Sequence, residues 1–298
     1  MELRLGINTC FAVKRWPRPD DWAPIVRDRL GLGLVQHSLD LVDLTGPFES
    51  QAAAVTAAAT AAGLEVASTF TGLAAYSSNF LLAPDAETRA AAEAWYRAAI
   101  RLTALVGATA TGGHVGAFSV PDWLDPAARA ARWRDLRAAL DRLAAAAAES
   151  GLDMLVVENL AAAREPSTMA MIEELLSDGD ADHVPVRLCL DVGHMCVPGT
   201  SGDDRDPYAW LRRFGRQAPI VQLQQSDDAG DHHWPFTPER DRIGRIEPQR
   251  VLDALEASGG AACDLILEII PPFEQADDAV LGDLELSVER WRRALDGR

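Results

Sequence analysis

The sequence predicts an α/β protein, a single (β/α)8 TIM barrel spanning residues 1–298. Three observations predict it. Eight short apolar runs of strand length alternate with helical stretches along the 298 residues, and strict alternation builds a parallel sheet. Successive strands start roughly 30 to 45 residues apart, as in a chain of strand–helix units. No Pro/Ser-rich linker or charge block interrupts the pattern, so a second domain is not expected. No Gly-x-Gly-x-x-Gly follows any strand, which weighs against a doubly wound open sheet.

The elements follow in order. Leu3 to Ile7 is the first strand, and a polar, Pro-rich stretch leads into a helix ending near Arg29. The run 31–35 opens the second strand. The alanine-rich segment 49–62 is helix by propensity, with Gly63 as its C-terminal cap. Leu64 to Thr69 is the third strand, and a loop over 70–84 follows it. A helix runs from Pro84-Asp85 to about Val106, and Ala108 to Thr111 is the fourth strand, leading into Gly112-Gly113-His114. A helix over 125–150 precedes the fifth strand, Asp153 to Val157, and the helix over 167–177, capped by Ser167, precedes the sixth, Val186 to Leu190. Pro219 to Leu223 and Asp264 to Leu267 are the seventh and eighth strands. Helices near 206–215, 248–258 and 277–295 complete the set.

Composition bounds the function. The net charge of −17 argues against nucleic acid or an anionic membrane as partner, since both demand a basic face. No apolar run reaches the length needed to span a bilayer, and the Met-Glu-Leu-Arg start runs straight into a strand, without the pattern of a signal peptide. A cytoplasmic protein is expected. Four cysteines without Cys-x-x-Cys spacing read as free buried thiols.

In a parallel barrel every strand ends on one rim, where active sites are built. The polar strand ends are His114, Glu158, Asp191 with His194, Gln222 with Gln224, and Glu268. Each acid follows an apolar run: Met-Leu-Val-Val before Glu158, Leu-Cys-Leu before Asp191, Leu-Ile-Leu before Glu268. A carboxylate so placed is costly unless paired or metal-bound. Taken singly, each has an ordinary reading, such as Glu158 pairing with Arg164 or Asp191 capping a turn. Acids at the same place on three strands favour a shared divalent cation. Oxygen-rich donors point to Mn2+ or Mg2+, with Co2+ as a further candidate.

Val-Val-Glu-Asn at 156–159, Leu-Asp-Val-Gly-His at 190–194, Gln-Leu-Gln-Gln-Ser-Asp at 222–227 and Leu-Glu-Ile-Ile at 267–270 resemble the sugar phosphate isomerase/epimerase family, whose barrel is xylose isomerase-like. The resemblance runs in strand order over nearly the whole chain. It implies a metal on Glu158, Asp191, a strand-seven residue and Glu268, and a substrate contact from His194. Where that family commonly carries His-x-x-Asp, position 222 is Gln. Gln222 is then the expected oxygen ligand, with Gln224, two residues on and facing the same way, beside it.

A metal between two carboxylates suits proton transfer next to a ketose carbonyl through an ene-diolate. Glu158 would take the proton and Glu268 return one. Epimerisation and aldose–ketose isomerisation both fit. His114, Arg164, Gln224 and His232 are expected to line the substrate. His232-His233-Trp234-Pro235-Phe236, after strand seven, reads as an aromatic and imidazole lid over the pocket or as a plain hydrophobic cluster of the loop, and Trp16 and Asn79, on rim loops, are candidates to line the site or to serve ordinary loop packing. His114 follows two glycines that would let backbone approach a ligand, and Arg164 is the expected phosphate clamp. A four- or five-carbon ketose phosphate is the preferred substrate, and a homodimer is left open. The alternatives are a metal-dependent lyase or dehydratase on a keto-sugar or keto-inositol, DNA phosphodiester hydrolysis, and a non-catalytic sugar-binding barrel. DNA hydrolysis is disfavoured by the acidity and by only six histidines.

Overall fold

The computed structural model describes residues 1–298 except Ala74 and Asn79; the expectation that Asn79 lines the site therefore lies outside the described residues. Eight strands, β1 (Glu2–Asn8), β2 (Leu34–Ser38), β3 (Glu65–Phe70), β4 (Ala110–Gly113), β5 (Met154–Glu158), β6 (Val186–Asp191), β7 (Ile220–Leu223) and β8 (Ala262–Leu267), follow one another around a closed barrel in sequence order. The helices are α1 (Pro19–Pro24), α2 (Glu49–Ala62), α3 (Ala75–Ser78), α4 (Ala86–Leu105), α5 (Val120–Leu124), α6 (Pro126–Glu149), α7 (Met169–Leu175), α8 (Pro207–Phe214), α9 (Pro238–Asp241), α10 (Pro248–Ser258) and α11 (Asp277–Asp296). The TIM barrel expected from the alternation is the fold observed.

The boundaries follow local chemistry. Asp85 accepts the Thr88 N–H at 2.7 Å and starts α4. Asp125 and Asp206 cap α6 and α8, each with proline at the first helical position, where its missing N–H costs nothing. Gly63, at φ +64°, ends α2 as expected. Two readings shift. The second strand begins at Leu34 rather than 31, because Gly31 sits at φ +63° in the preceding turn. Thr168, not Ser167, caps α7, its side chain accepting the Met171 N–H.

The chain packs as two compact units. In the first (residues 1–36, 57–65 and 189–298), β1 pairs with β8 from Glu2↔Ala262 to Ile7↔Leu267, and β7 joins β6 through Asp191↔Gln222 and β8 through Gln222↔Ile266. Trp22, Trp210 and Trp291 are its largest buried side chains, joined by Phe11, Phe214 and Phe236, with Phe236 and Trp291 edge-to-face at 5.3 Å. In the second (residues 37–56 and 66–188), β4 lies between β3 and β5. Leu81, Tyr96, Phe118, Leu140, Leu155 and Val157 belong to its apolar core.

The two glycines of β4 have a packing role that the sequence reading gave to a ligand. A Cβ on Gly112, at φ +144°, would stand 1.9 Å from the Val156 carbonyl oxygen, and one on Gly113 would stand 2.5 Å from the Phe70 ring and from Thr71 Oγ1. The close approach is to neighbouring protein. All four cysteines are free and buried, as expected. Among the described residues no helix is long and apolar enough to cross a membrane.

Candidate active site

Strand pairing in the first unit aligns the ends of β6, β7 and β8. Asp191 closes β6, Gln222 lies opposite it on β7, and Glu268 follows β8. All three are buried. Glu268 Oε1 accepts hydrogen bonds from Asn8 Nδ2 at 3.0 Å and Gln222 Nε2 at 2.9 Å, and both amides also donate to Gln36 Oε1. This amide network holds the carboxylate without neutralising it. It leaves Gln222 Oε1 buried with no hydrogen-bond partner. An orphaned buried carbonyl oxygen is costly and is the atom a cation would take.

The second glutamine does different work. Gln224 Nε2 donates to both oxygens of Asp191, at 3.1 and 3.2 Å, and to Asp231 Oδ1 at 2.8 Å, while its Oε1 accepts the His233 backbone N–H at 2.6 Å. Gln222 and Gln224 thus both face the polar cluster, as period-two alternation requires. Asp191 Oδ1 also accepts the Gly193 N–H at 2.6 Å.

The loop after β7 supplies Asp231, which sequence reasoning missed, and His233, which belongs to the His232–Phe236 run expected as a lid over the pocket. His233 Nε2 lies 3.2 Å from Asp231 Oδ2, and its Nδ1 lies 3.6 Å from Glu268 Oε2. His194 Nε2 reaches the same Asp231 oxygen at 3.3 Å and lies 4.0 Å from Asp191. The two imidazoles meet edge to face at 5.7 Å. Burial would raise the Asp231 carboxyl, but His194 and His233 outweigh it and hold the group well below the usual carboxylate range. Asp191, His233 and Glu268 each place one ligand atom within 4.8 Å of the others, and so do His194, Asp231 and His233. Carboxylates with imidazole and an orphaned amide oxygen suit a hard divalent ion. The residues fit the cation the sequence implies.

His232, expected at the substrate, stacks on Trp234 at 3.8 Å and pairs with Asp227 at 2.9 Å. Its neighbour His233 is the imidazole that reaches Glu268. Both lie in the His232–Phe236 run expected as a lid, and the sequence alone does not say which imidazole turns towards the strand ends.

In the second unit, Glu158 ends β5 and is buried. His114 is fixed from several sides. Its N–H donates to Thr71 Oγ1 at 2.9 Å, its carbonyl accepts the Tyr96 hydroxyl at 3.0 Å, and Nδ1 accepts the Gly116 N–H at 3.1 Å. That leaves Nε2 as the donor to Glu165 Oε1, 3.3 Å away. Arg164 donates to the Phe118 carbonyl, and its own carbonyl accepts the Phe118 N–H at 2.8 Å. Its guanidinium thus ties the loop after β5 to the loop after β4. Trp16 packs on Phe11, ring centres 6.1 Å apart.

The model of the xylose isomerase-like TIM barrel family matches residues 28–282. The chain belongs to this family. It is 28% identical over 309 residues, covering 99% of this chain and 97% of the other, to the D-erythrulose 1-phosphate 3-epimerase of Brucella abortus (strain 2308). A crystal structure from Rhodospirillum rubrum ATCC 11170, of a protein provisionally named a xylose isomerase, is 37% identical, with a TM-score of 0.89 over 98% of this chain and 99% of that one. D-psicose 3-epimerase of Clostridium cellulolyticum H10, solved with D-tagatose, superposes with a TM-score of 0.70 at 16% identity, over 98% and 99% of the two chains, a likeness of fold alone. Within this xylose isomerase-like barrel, the seventh strand offers Gln222, the residue after it Gln224, and the nearby imidazoles come from the loops at His194 and His233.

Proposed function

We propose that the chain, acting as one domain over residues 1–298, is a divalent-metal-dependent epimerase or isomerase of a small ketose or ketose phosphate. The observation that carries the reading is the group of buried Asp191 and Glu268 with half-buried His233, beside the orphaned oxygen of Gln222. The relative named for D-erythrulose 1-phosphate supports a four-carbon ketose phosphate as the first substrate to test. Glu158, Asp191, Gln222 and Glu268 are the proposed ligands of Mn2+ or Mg2+, with Co2+ as a substitute. When bound, the cation would polarise the ketose carbonyl and stabilise ene-diolate charge.

The proton chemistry belongs to the carboxylates. Glu158 takes the proton from the carbon beside the carbonyl, and Glu268, held in place by Asn8 and Gln222, returns one. Return to the opposite face gives epimerisation; return to the neighbouring carbon gives isomerisation. His194, oriented by Asp231, holds a substrate oxygen. His114, at the end of β4, Arg164, Gln224 and His232 are the remaining proposed contacts. A cytoplasmic homodimer is proposed, with neither nucleic acid nor membrane as a partner.

The test is solvent exchange. Mn2+-loaded protein is incubated in D2O with D-erythrulose 1-phosphate and with other three- to six-carbon ketoses, free and phosphorylated. Deuterium entering the carbon beside the carbonyl, read by NMR, is the expected result. Absence of exchange with all of them overturns the proposal.

A further inference from the structure

A glutamine side chain can turn either its oxygen or its nitrogen toward a neighbour, and only the oxygen binds a hard cation. We propose that Asn8 and Gln36 are positioning residues that fix this choice at Gln222, holding its amide so that the carbonyl oxygen alone is offered. The inference rests on the metal-dependent reading above and adds how its amide ligand is oriented.

The orientation starts from a backbone group. The Cys10 N–H, which can only donate, lies 2.9 Å from Asn8 Oδ1. That contact fixes the Asn8 amide, whose Nδ2 is then turned to Gln36 Oε1 at 2.8 Å and to Glu268 Oε1 at 3.0 Å. An NH2 group facing Gln36 requires an oxygen there, so the Gln36 amide is fixed as well. The same Gln36 oxygen lies 2.9 Å from Gln222 Nε2, and an oxygen in that place requires a nitrogen from Gln222. Amide oxygen and nitrogen are told apart by matching donors to acceptors in this way. No step depends on whether Glu268 carries a proton, because its Oε1 accepts from both amides.

The four contacts close a ring. Asn8 Nδ2 and Gln222 Nε2 have two hydrogens each, and Gln36 Oε1 and Glu268 Oε1 each accept one from both. Both hydrogens of Gln222 are thereby used. Its Oε1 is what remains, buried and with no hydrogen-bond partner. The strands build the ring: Asn8 lies opposite Gln36 in the parallel pairing of β1 with β2, and Gln222 lies opposite Ile266 in that of β7 with β8, just before Glu268. All four side chains are buried. A flipped Gln222 would set its oxygen against two others and lose both hydrogen bonds, which is costly away from water. Gln224 obeys the same rule in the opposite sense. Its Oε1 accepts the His233 N–H at 2.6 Å, which turns Nε2 to Asp191 and Asp231.

The test pairs two variants that add the same charge to the ring. Gln36→Glu keeps an acceptor where the ring needs one, and Asn8→Asp puts an acceptor where the ring needs a donor. Mn2+ affinity of the full chain is measured by titration calorimetry. Asn8→Asp is expected to bind about ten- to a hundredfold more weakly than the unmodified chain, the scale of a lost outer-shell contact, and Gln36→Glu to bind at least as well. A charge that merely disturbed the fold or attracted the cation would shift both alike. Circular dichroism establishes that each variant is folded. A second measurement needs no variant: the unmodified chain, carrying 13C in its glutamine carboxamides, is titrated with Mg2+ and followed by NMR. A carboxamide resonance is expected to move downfield as its oxygen gains the cation. Equal changes of affinity in the two folded variants, or Mg2+ bound with every glutamine carboxamide unmoved, overturn the proposal and leave the metal reading standing. An unmodified chain that binds neither ion overturns the metal reading and this proposal with it.

Discussion

Gly193 gives up its side chain to Gln224: a Cβ at position 193 would stand 2.3 Å from the Gln224 amide carbon. That amide spans Asp191, Asp231 and the His233 backbone. Gly193→Ala is therefore expected to push Gln224 off its three partners. Mn2+ affinity should fall roughly tenfold, the scale of a lost outer-shell contact, while stability falls by about 1–3 kcal/mol as for other overpacked sites. Titration calorimetry with Mn2+ reads the first, urea unfolding the second. Unchanged affinity would show that Gln224 does not hold the ligand set.

Glu158→Gln keeps the shape of the residue at the end of β5 and removes its basicity. Deuterium exchange into the ketose should drop by about 10²- to 10⁴-fold, the usual contribution of a general base, with sugar binding retained. A barrel that only binds sugar would show no exchange in either form. Exchange at the original rate in the variant would remove Glu158 from the proton-transfer step.

The rim carboxylates were legible because each closes an apolar strand, and so was the order of strands, because helix and strand periods alternate without interruption. Asp231 was not, and His233 was legible only as part of the His232–Phe236 lid. Their placement depends on a loop that turns back on β7 through the Gln225–Trp234 bridge and on a positive φ at a histidine, and neither follows from local propensity. Reading Gln222 and Gln224 as a pair on one face was sound, but the sequence could not divide their roles. Pairing across β6, β7 and β8 does that: one amide is left with an orphaned oxygen, and the other becomes a brace. Arg164 is read as a phosphate clamp from its place after Glu158; in the fold its Nη1 donates to the Phe118 carbonyl, a tie between loops that the sequence does not announce.

His37 gives a pH signature. It is fully buried in β2, and burial pushes its imidazole from an ordinary 6.5 down to about 4. The unfolded chain takes up a proton at position 37 as pH falls below 6.5, while the folded chain does not until about 4. The group's contribution to stability is thus complete above pH 6.5 and is lost progressively between 6.5 and 4. The loss is on the order of 3 kcal/mol. Urea unfolding at pH 7, 5.5 and 4.5 should show a shallower decline for His37→Gln than for the unmodified chain. Parallel declines would contradict the burial argument.

Removing divalent ions should destabilise the fold by linkage. At free Mn2+ about a hundred times its dissociation constant, binding contributes roughly 2.7 kcal/mol, or a rise in Tm of about 5 °C. Dialysis against EDTA should abolish the increment and Mn2+ restore it. The increment should be absent in Asp191→Asn and Glu268→Gln. An equal rise in those variants would place the binding elsewhere on this acidic surface.

Gly112 separates a structural from a ligand-binding role at the end of β4. It pairs with Val156 of β5, and a Cβ there would lie 1.9 Å from the Val156 carbonyl oxygen, at a φ of +144°. Backbone cannot yield as a flexible side chain does, so Gly112→Ala must part the two strands or abandon the dihedral. A loss of about 3 kcal/mol or more is expected. Gly63→Ala is the comparison. It shares a positive φ, +64°, but nothing lies within 4 Å of the added carbon, and its cost should stay near 1 kcal/mol. The difference between the two, measured by urea unfolding, isolates the clash from the dihedral. If Gly112→Ala unfolds like the unmodified chain but binds ketose more weakly, the bare backbone serves the ligand after all. If the large loss is seen, Gly112 exists to bring β4 against β5, and it leads the chain to His114 only as a consequence.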